Sequence, residues 1–554
     1  MGTPARAGSV SAALAVRVAF GCALSALSAG MLTLAFAPHR AWYLVWIGFV
    51  PMLVAQHRVL PGRLSALAPG IAVGGFVAGC FGGVFPERAA WYMKQLPPLV
   101  GVIIALSSLG GPTGRARAGY GYWPLQGAIG WVAVELVRSL IPALGTWGFL
   151  GYALYRQTWL LQPVAIFGTF GLDLLVVLVS YALALLLFAW LDRRRGRNRN
   201  DPLDGERAFV PMRLAVRWCA GVAAACVLWG ALSVAMLPRG ARAPTVRVAA
   251  LQPGYRWKAN VHSREERDRA ILEALADQTR RAAAQGARFI VWPESALHAD
   301  PQIVYREPLA ALAKEVSAYL FVGYLLDTPA GRRNEVVTIA PQDGFLGAYG
   351  KDHPVGFLGE ASITRGTYPT YATPFGVVGA VICADIDFTD TPRKLARNGA
   401  KILFVPSADW PKISTKHYVL AVFRALETGS AVVKSEYGRD SAIVDGYGAM
   451  LASVVTPEGS EAVLVADVAA RPGLPLAARW GDWVGWLCVA ALVVRGLARL
   501  RGRGTPKLSA AGGAAAARRG GGGAGGERAA ECGEHGRRAS PVPRPPRGAP
   551  TVRA

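Results

Sequence analysis

One cysteine closes an apolar run, Gly379-Ala380-Val381-Ile382-Cys383, and an acidic residue, Asp385, follows two positions later. A thiol at the end of a β-type run sits on rigid backbone yet stays open to a substrate, which suits a nucleophile; the same pattern also serves a packed, inert cysteine. A nucleophilic thiol needs a base for its proton and a positive group for the oxyanion that forms on attack. Glu294, in Trp292-Pro293-Glu294-Ser295, ends another apolar run and offers the carboxylate. Lys351, in Tyr349-Gly350-Lys351-Asp352-His353, offers the cation, and His353 is a second candidate base. Taken singly, Glu294 reads equally as an exposed carboxylate after a proline turn, and Lys351 as a solvated lysine. Together the three suit nucleophilic catalysis by an activated thiol.

The elements that must bring these residues together divide into two kinds. Of 554 residues, 52% are hydrophobic and only 17% are charged, with a mean hydropathy of +0.29, which points to a membrane protein. The net charge of +24 does not argue for nucleic acid, because the arginines cluster beside apolar spans and in the final segment. Candidate spans run from about Val10 to Phe36, read as retained rather than as a cleaved signal, then Ala41–Ala55, Leu67–Phe85, Pro98–Leu109, Tyr122–Ile141, Gly168–Leu191 and Val216–Leu237. A last one covers Trp483–Leu500.

Basic residues alternate between the loops. Arg58 and Arg63, then Arg115 and Arg117, then Arg193, Arg194, Arg195, Arg197 and Arg199 mark one side. The other side carries Arg40, Arg88 and Lys94 offset by Glu87, and Arg156. The positive-inside rule then places the N-terminus in the cytoplasm and the segment from about Ala241 to Arg479 outside it. The expected domains are a bundle of about seven spans over 1–240, a catalytic domain over 241–480, a final span over 481–500 and a disordered basic cytoplasmic tail over 501–554, rich in Gly, Ala, Arg and Pro.

Seven cysteines are present, and Cys22, Cys80, Cys219, Cys226 and Cys488 lie in or near apolar spans while Cys532 is in the tail. Cys383 alone falls in the long polar segment, so that segment forms no internal disulfide. No Cys/His spacing resembles a zinc site. Within the segment, strands are expected at Val246–Gln252, Phe289–Trp292, Tyr319–Tyr324, Glu335–Ala340, Val377–Ile382, Ile402–Val405, Ala431–Ser435 and Ala442–Val444. Helices are expected at Glu265–Gln285, Leu309–Ser317, Thr391–Asn398 and Ile413–Thr428. Alternation of this kind argues for an α/β layered domain, with its site where strands end.

Trp292-Pro293-Glu294-Ser295, Tyr349–His353 and Val381-Ile382-Cys383 resemble the Glu/Lys/Cys triad of the nitrilase (carbon–nitrogen hydrolase) superfamily. Leu34-Ala35-Phe36-Ala37-Pro38, Trp131–Ser139 with Glu135 and Arg138, and Gly148–Tyr152 resemble the N-terminal half of apolipoprotein N-acyltransferases. The resemblance spans about residues 15 to 490. It implies a multi-span α-helical membrane protein with an inserted, extracytoplasmic, nitrilase-like αββα sandwich. It also implies Glu294 as general base, Lys351 as the oxyanion-holding lysine and Cys383 as the acylated nucleophile, with no cofactor or metal. Glu360 matches a further glutamate of the family, in a loop, Gly356–Glu360, one residue longer than usual. Asp385 replaces a glutamate and Ala384 a tyrosine, and Asp409-Trp410 continues into Pro411 where the family has phenylalanine. Asn334, His417, Arg424 and Glu427 fall at matching places.

The implied reaction moves a fatty acyl chain from a membrane phospholipid, through a Cys383 thioester, to the α-amine of a diacylated apolipoprotein at the outer face of a bacterial inner membrane. Supporting or substrate-binding roles are implied for Glu360, Asp385, Trp410 and His353. Phe357, Leu358, Tyr368 and Tyr371 are candidates for a lid over a lipid cleft, or for ordinary loop packing. Two other readings stay open: a membrane-anchored amidase that passes the acyl group to water, and a non-catalytic scaffold.

Overall fold

The computed structural model describes residues 4–81, 91–109, 111, 119–194, 208–238, 244–258, 262–454, 457 and 459–503. The loop residues Glu87, Arg88, Arg115, Arg117, Arg195, Arg197 and Arg199, as well as Cys532 and the tail from 504, lie outside that set. Seven of the eight expected spans are helical over most of their described residues. Helices α1 (Pro4–Ala35), α2 (Leu67–Phe81), α3 (Leu96–Ser107), α4 (Trp123–Ser139), α5 (Val164–Arg194) and α6 (Met212–Met236) precede the α/β part. Among the described residues five apolar helices are long enough to cross a bilayer, and the Trp483–Arg503 helix is one of them.

The stretch expected to span at Ala41–Ala55 is not one regular helix. It winds as a 3₁₀ turn (Trp42–Trp46), a short α segment (Val50–Val54) and a π turn (Ala55–Val59). The π turn buries Gln56, His57 and Arg58, and Arg58 makes two 3.0 Å hydrogen bonds to the two carboxylate oxygens of Asp192. A guanidinium inside an apolar bundle has to be paired, and the distorted winding accompanies that pairing.

From Thr245 the chain builds two six-stranded sheets. The first has the order β12-β1-β2-β3-β4-β5 and the second β11-β10-β9-β8-β7-β6. Strands β1 (Thr245–Pro253), β2 (Phe289–Val291) and β3 (Tyr319–Thr328) run parallel, and β4 (Gly331–Ala340) and β5 (Gly344–Gly350) return antiparallel. In the second sheet β7 (Gly376–Ala380), β8 (Ile402–Pro406) and β9 (Ala431–Ser435) are parallel. Strands β6 (Thr370–Thr373), β10 (Ala442–Val444) and β11 (Met450–Ser453) lie outside them, and β12 (Glu461–Ala469) pairs with β1 along its whole length.

Helices α7 (Arg264–Ala284) and α8 (Arg306–Val316) cover the first sheet, and α10 (Pro411–Thr428), preceded by α9 (Asp390–Arg397), covers the second. The αββα expectation is therefore met. Apolar faces meet between the sheets, where the Phe321 and Phe404 rings stack at 3.9 Å and Phe289 lies 5.6 Å from Phe404.

The expected strands and helices all form. Four further strands were not anticipated: β5, which ends directly before Lys351, and β6, β11 and β12.

The two halves are joined by buried polar contacts. Gly168 takes φ +65° inside α5, so the regular helix restarts at Thr169 with unsatisfied N–H groups. Glu427 Oε1, from α10, accepts from Thr169 N at 3.1 Å and Thr169 Oγ1 at 2.8 Å. A carboxylate from the α/β part thus caps a membrane helix, the charge placement its dipole favours.

Replacing Phe404 with Ala removes the ring that joins the two sheets and should cost about 3–5 kcal/mol. Denaturant unfolding in detergent checks this; a cost below about 1 kcal/mol would show that the sheets do not share this core.

Candidate active site

Glu294 lies just past β2, in a turn that crosses β3 closely. A Cβ on Gly323 would stand 2.4 Å from the Pro293 carbonyl oxygen, so only glycine lets the turn settle there. Lys351 follows directly on β5. Its Nζ donates to Glu294 Oε1 at 2.9 Å and to both oxygens of Glu360, each at 2.9 Å. Asn334, on β4, donates through Nδ2 to Glu294 Oε1 at 2.7 Å and to Glu360 Oε1 at 2.5 Å. Glu360 reaches this cluster despite its altered loop, because Gly356–Leu358 forms a 3₁₀ turn, Gly359 adopts φ +74°, and Val355 N donates to Glu360 Oε2 at 2.8 Å.

Lys351 is 1% exposed. Burial alone would lower its pKa, but the carboxylates of Glu294 and Glu360 reverse this and hold the ammonium charged. The Glu360 carboxylate is disfavoured by burial yet held below its usual range by Lys351 and by the hydrogen bonds it accepts.

Cys383 opens a 3₁₀ turn (Cys383–Asp387) in the left-handed region at φ +46°, which a non-glycine residue seldom adopts. Burial pushes its thiol well up, and Glu294, Asp409 and Glu436 add to this while Lys351 opposes it. The sulfur therefore rests as a thiol within the field of both Glu294 and Lys351, so removing its proton needs a base.

Asp385 is fully buried. Its Oδ2 accepts from Tyr349 Oη at 2.7 Å and Ile382 N at 2.8 Å, and its Oδ1 from Asp352 N at 3.1 Å and His353 N at 2.8 Å. One carboxylate thus clasps the lysine-bearing chain to the cysteine turn. Burial raises it to about 6, against the pull of His353 and these hydrogen bonds.

His353 is engaged on the side of Asp390 and Phe388. Its Nε2 faces Asp390 Oδ1 at 3.1 Å and its ring stacks on Phe388 at 3.8 Å. Trp410 caps α10 through its carbonyl, to which Ile413 N donates at 3.0 Å, and its ring lines the cleft at Cys383. Of the four lid candidates Phe357 lines that cleft. Tyr368 is instead fixed by Asp352 at 2.8 Å and Lys394 at 2.7 Å, and Tyr371 packs on the core.

Sequence reasoning missed Lys434 and Glu436. Asp409, buried with them, receives His417 Nδ1 at 2.7 Å and Lys434 Nζ at 2.9 Å on Oδ2. His417 Nε2 stands 3.2 Å from Asp387 Oδ1, an ion-pair contact without hydrogen-bond alignment. Donor atoms of Cys383, Asp409 and His417 lie within 4.8 Å of one another. The ammonium of Lys434 already occupies Asp409, however, so the group is an ion-pair network and does not fit a second cation.

The membrane bundle completes the cleft. Thr146 donates from N (2.9 Å) and Oγ1 (2.7 Å) to the carbonyl of Asp387, at the end of the cysteine turn. Leu144, Trp147 and Phe81 line both this cleft and a cavity of about 540 Å³ inside the bundle, walled mainly by apolar side chains such as Val73, Phe76, Val100 and Ile104.

Residues 28–182 match the apolipoprotein N-acyltransferase N-terminal domain, and residues 247–471 match the carbon–nitrogen hydrolase domain. An apolipoprotein N-acyltransferase of Geobacter metallireducens is 26% identical over 524 residues, covering 86% of this chain and 94% of that protein. One of Gloeobacter violaceus is 28% identical over 523 residues, covering 86% and 93%. Over most of its length the chain is similar to apolipoprotein N-acyltransferases. A human protein, omega-amidase NIT2, is 27% identical over 221 residues, covering 34% of this chain and 79% of its own. Both halves of the family layout are thus present, in order, around one thiol.

Burial disfavours the His417 imidazolium, yet Asp409 and Asp387 carry it from 6.5 up to about 9. A raised folded pKa contributes stability that is complete below pH 6.5 and lost as pH rises through 9, worth roughly 3 kcal/mol. His417→Gln should therefore be less stable than the parent at pH 6 and nearly equal to it at pH 10, measured by unfolding in detergent. A difference independent of pH would contradict the ion pair.

Proposed function

We propose that this chain is an apolipoprotein N-acyltransferase that works through a thioester on Cys383. The observation that supports the reading is the buried Lys351–Glu294 pair, at 2.9 Å, whose charges act on Cys383 beside a cleft that Cys383 lines together with Leu144 and Trp147 of the membrane bundle. Glu294 takes the proton of the resting thiol as the sulfur attacks the ester carbonyl of a phospholipid. Lys351 stays charged through the cycle and holds the oxyanion of the tetrahedral intermediate. Collapse forms the thioester, and Glu294 returns its proton to the departing glycerol oxygen. Glu360 and Asn334 fix the lysine and the base, and Asp385 fixes the two chain segments against each other.

In the second half the α-amine of a diacylated lipoprotein attacks the thioester and leaves as an amide. The bundle cavity that meets the cleft at Phe81, Leu144 and Trp147 suits an acyl chain, being apolar and within the roughly 300–1,000 Å³ of ordinary ligand sites. Both substrates keep their chains in a bilayer leaflet, so a site open to that leaflet takes them without extracting either into water. The loop charges favour a cytoplasmic N-terminus, seven spans, and a catalytic domain on the outer face of the bacterial inner membrane.

Purified protein given labelled phospholipid should form a hydroxylamine-sensitive acyl-enzyme that a lipopeptide amine discharges and water does not. Discharge by water at an equal rate would instead support the amidase reading. Cys383→Ala should transfer no acyl group, and Lys351→Met should lose about 10²–10³ in rate. N-acylation by Cys383→Ala would remove the thioester mechanism. Glu273→Cys, on the exposed face of α7, should react with a membrane-impermeant maleimide in spheroplasts; labelling only after lysis would reverse the orientation.

A further inference from the structure

The triad leaves a second set of buried charges at the same sulfur without a role. Cys383 Sγ donates to Asp409 Oδ1 at 3.4 Å. Asp409 is held from behind by two cations: His417 Nδ1, at 2.9 and 2.7 Å from its two oxygens, and Lys434 Nζ at 2.9 Å. Lys434 also donates to Glu436 Oε1 at 2.5 Å, and Glu436 accepts from Asp409 N at 3.3 and 3.1 Å. His417, Lys434 and Asp409 are each 2% exposed or less at the side chain. The titratable groups acting on the sulfur are therefore Glu294 and Lys351 from the first sheet, and Asp409 and Glu436 from the second; burial and the Asp409 carboxylate push Glu436 up to about 8.

We propose that Asp409 is a further catalytic residue: fixed as a carboxylate by His417 and Lys434, it binds the S–H of the free enzyme and favours that state over both thiolate and thioester. The hydrogen bond exists only while sulfur carries a proton. In the first half-reaction, RCO–OR′ + Cys–SH gives RCO–S–Cys + R′OH; the thiol proton ends on the departing alcohol and the contact to Asp409 is lost. In the second, RCO–S–Cys + R″NH₃⁺ gives RCO–NHR″ + Cys–SH + H⁺. One proton leaves nitrogen for solvent, a second ends on sulfur, and the contact to Asp409 re-forms. Its recovery draws the acyl-enzyme toward discharge, and its presence in the resting enzyme keeps the thiolate from forming before Glu294 is in play. The half that concerns the thioester rests on the proposed acyl transfer; the half that concerns the resting thiol does not.

The test is alkylation of Cys383 by iodoacetamide in the full-length protein in detergent, followed by peptide mass spectrometry from pH 6 to 10. Asp409→Asn removes a negative charge beside the sulfur, so alkylation at pH 7 should rise about tenfold for each unit by which the thiol pKa falls. Lys434→Gln leaves Asp409 in place and removes a neighbouring cation, so its profile should move the opposite way. If Asp409→Asn fails to fold, the direction of the Lys434→Gln shift still decides. Alkylation of Asp409→Asn no faster than the parent, or of Lys434→Gln no slower, would overturn the assignment. With phospholipid and lipopeptide present, Asp409→Asn should hold a larger steady-state fraction of thioester than the parent, and an unchanged or smaller fraction would overturn the discharge role. Opposite alkylation shifts in a protein that never forms a thioester would leave the resting-thiol role standing and remove the acyl-transfer reading.

Discussion

Everything at this site depends on one ammonium that has lost its water. Lys351 is almost fully buried, and removing such an ion from water costs several kcal/mol unless its partners are close and well aimed. Glu294 and Glu360 supply the opposing charge, but two carboxylates sharing one ammonium repel each other, and Asn334 bridges them with its amide hydrogens. These groups come from the end of β2, the interior of β4, the end of β5 and a short 3₁₀ turn. The first sheet therefore has to form in register before the ammonium is matched. Misplacing any one of the four leaves a buried charge poorly paired, which is far more costly than losing a surface ion pair.

The second sheet delivers the sulfur, so the site lies on the seam between the two sheets. Two devices hold that seam. Aromatic rings from β3 and β8 stack across it, which fixes separation without fixing sliding. Asp385 fixes the sliding: it takes hydrogen bonds from Tyr349, Asp352 and His353 on the lysine side and from Ile382 on the cysteine side. A buried carboxylate satisfied by four donors tolerates little displacement, because each lost bond leaves an unpaired buried group. The left-handed backbone at Cys383 is local strain that such a clasp can sustain.

The sequence made the triad legible because each member directly follows an apolar run, or a turn off one, and the motifs around them are short and distinctive. The strand that carries Lys351 was not legible. Gly344-Phe345-Leu346-Gly347-Ala348-Tyr349-Gly350 has three glycines and no alternation, and it becomes a strand through pairing with β4. Strand β12 escaped notice for a related reason: its partner is β1, more than two hundred residues earlier, and only that pairing closes the edge of the first sheet. Lys434 and Glu436 sit in or beside an apolar strand, where a lone charge reads as an outward-facing side chain. Their burial is set by Asp409 from another strand end, a relation with no local signature. His353 misled in the opposite sense: it is close in sequence to the lysine, but Asp390 and Phe388 engage its ring.

Two flexible linkers could tether a hydrolase domain to a membrane, but they would not fix its cleft against a lipid-facing surface. Here the join is made by buried polar contacts. Glu427 caps the restarted helix at Thr169, Thr146 holds the carbonyl that ends the cysteine turn, Lys416 donates to the Cys80 carbonyl at 2.8 Å, and Arg393 reaches Asp482 at 2.5 Å ahead of the final helix. Separating the halves would expose an uncapped helix end in an apolar bundle and break the Arg393–Asp482 ion pair, which favours one relative position of the halves. Helix α10 carries both ends of this arrangement: His417, near its start, binds the aspartate at the sulfur, and Glu427, at its end, binds the membrane helix. The distance from the thiol to the bundle is thereby set by the rise of a single helix, about 1.5 Å per residue, the stiffest spacer a chain can provide.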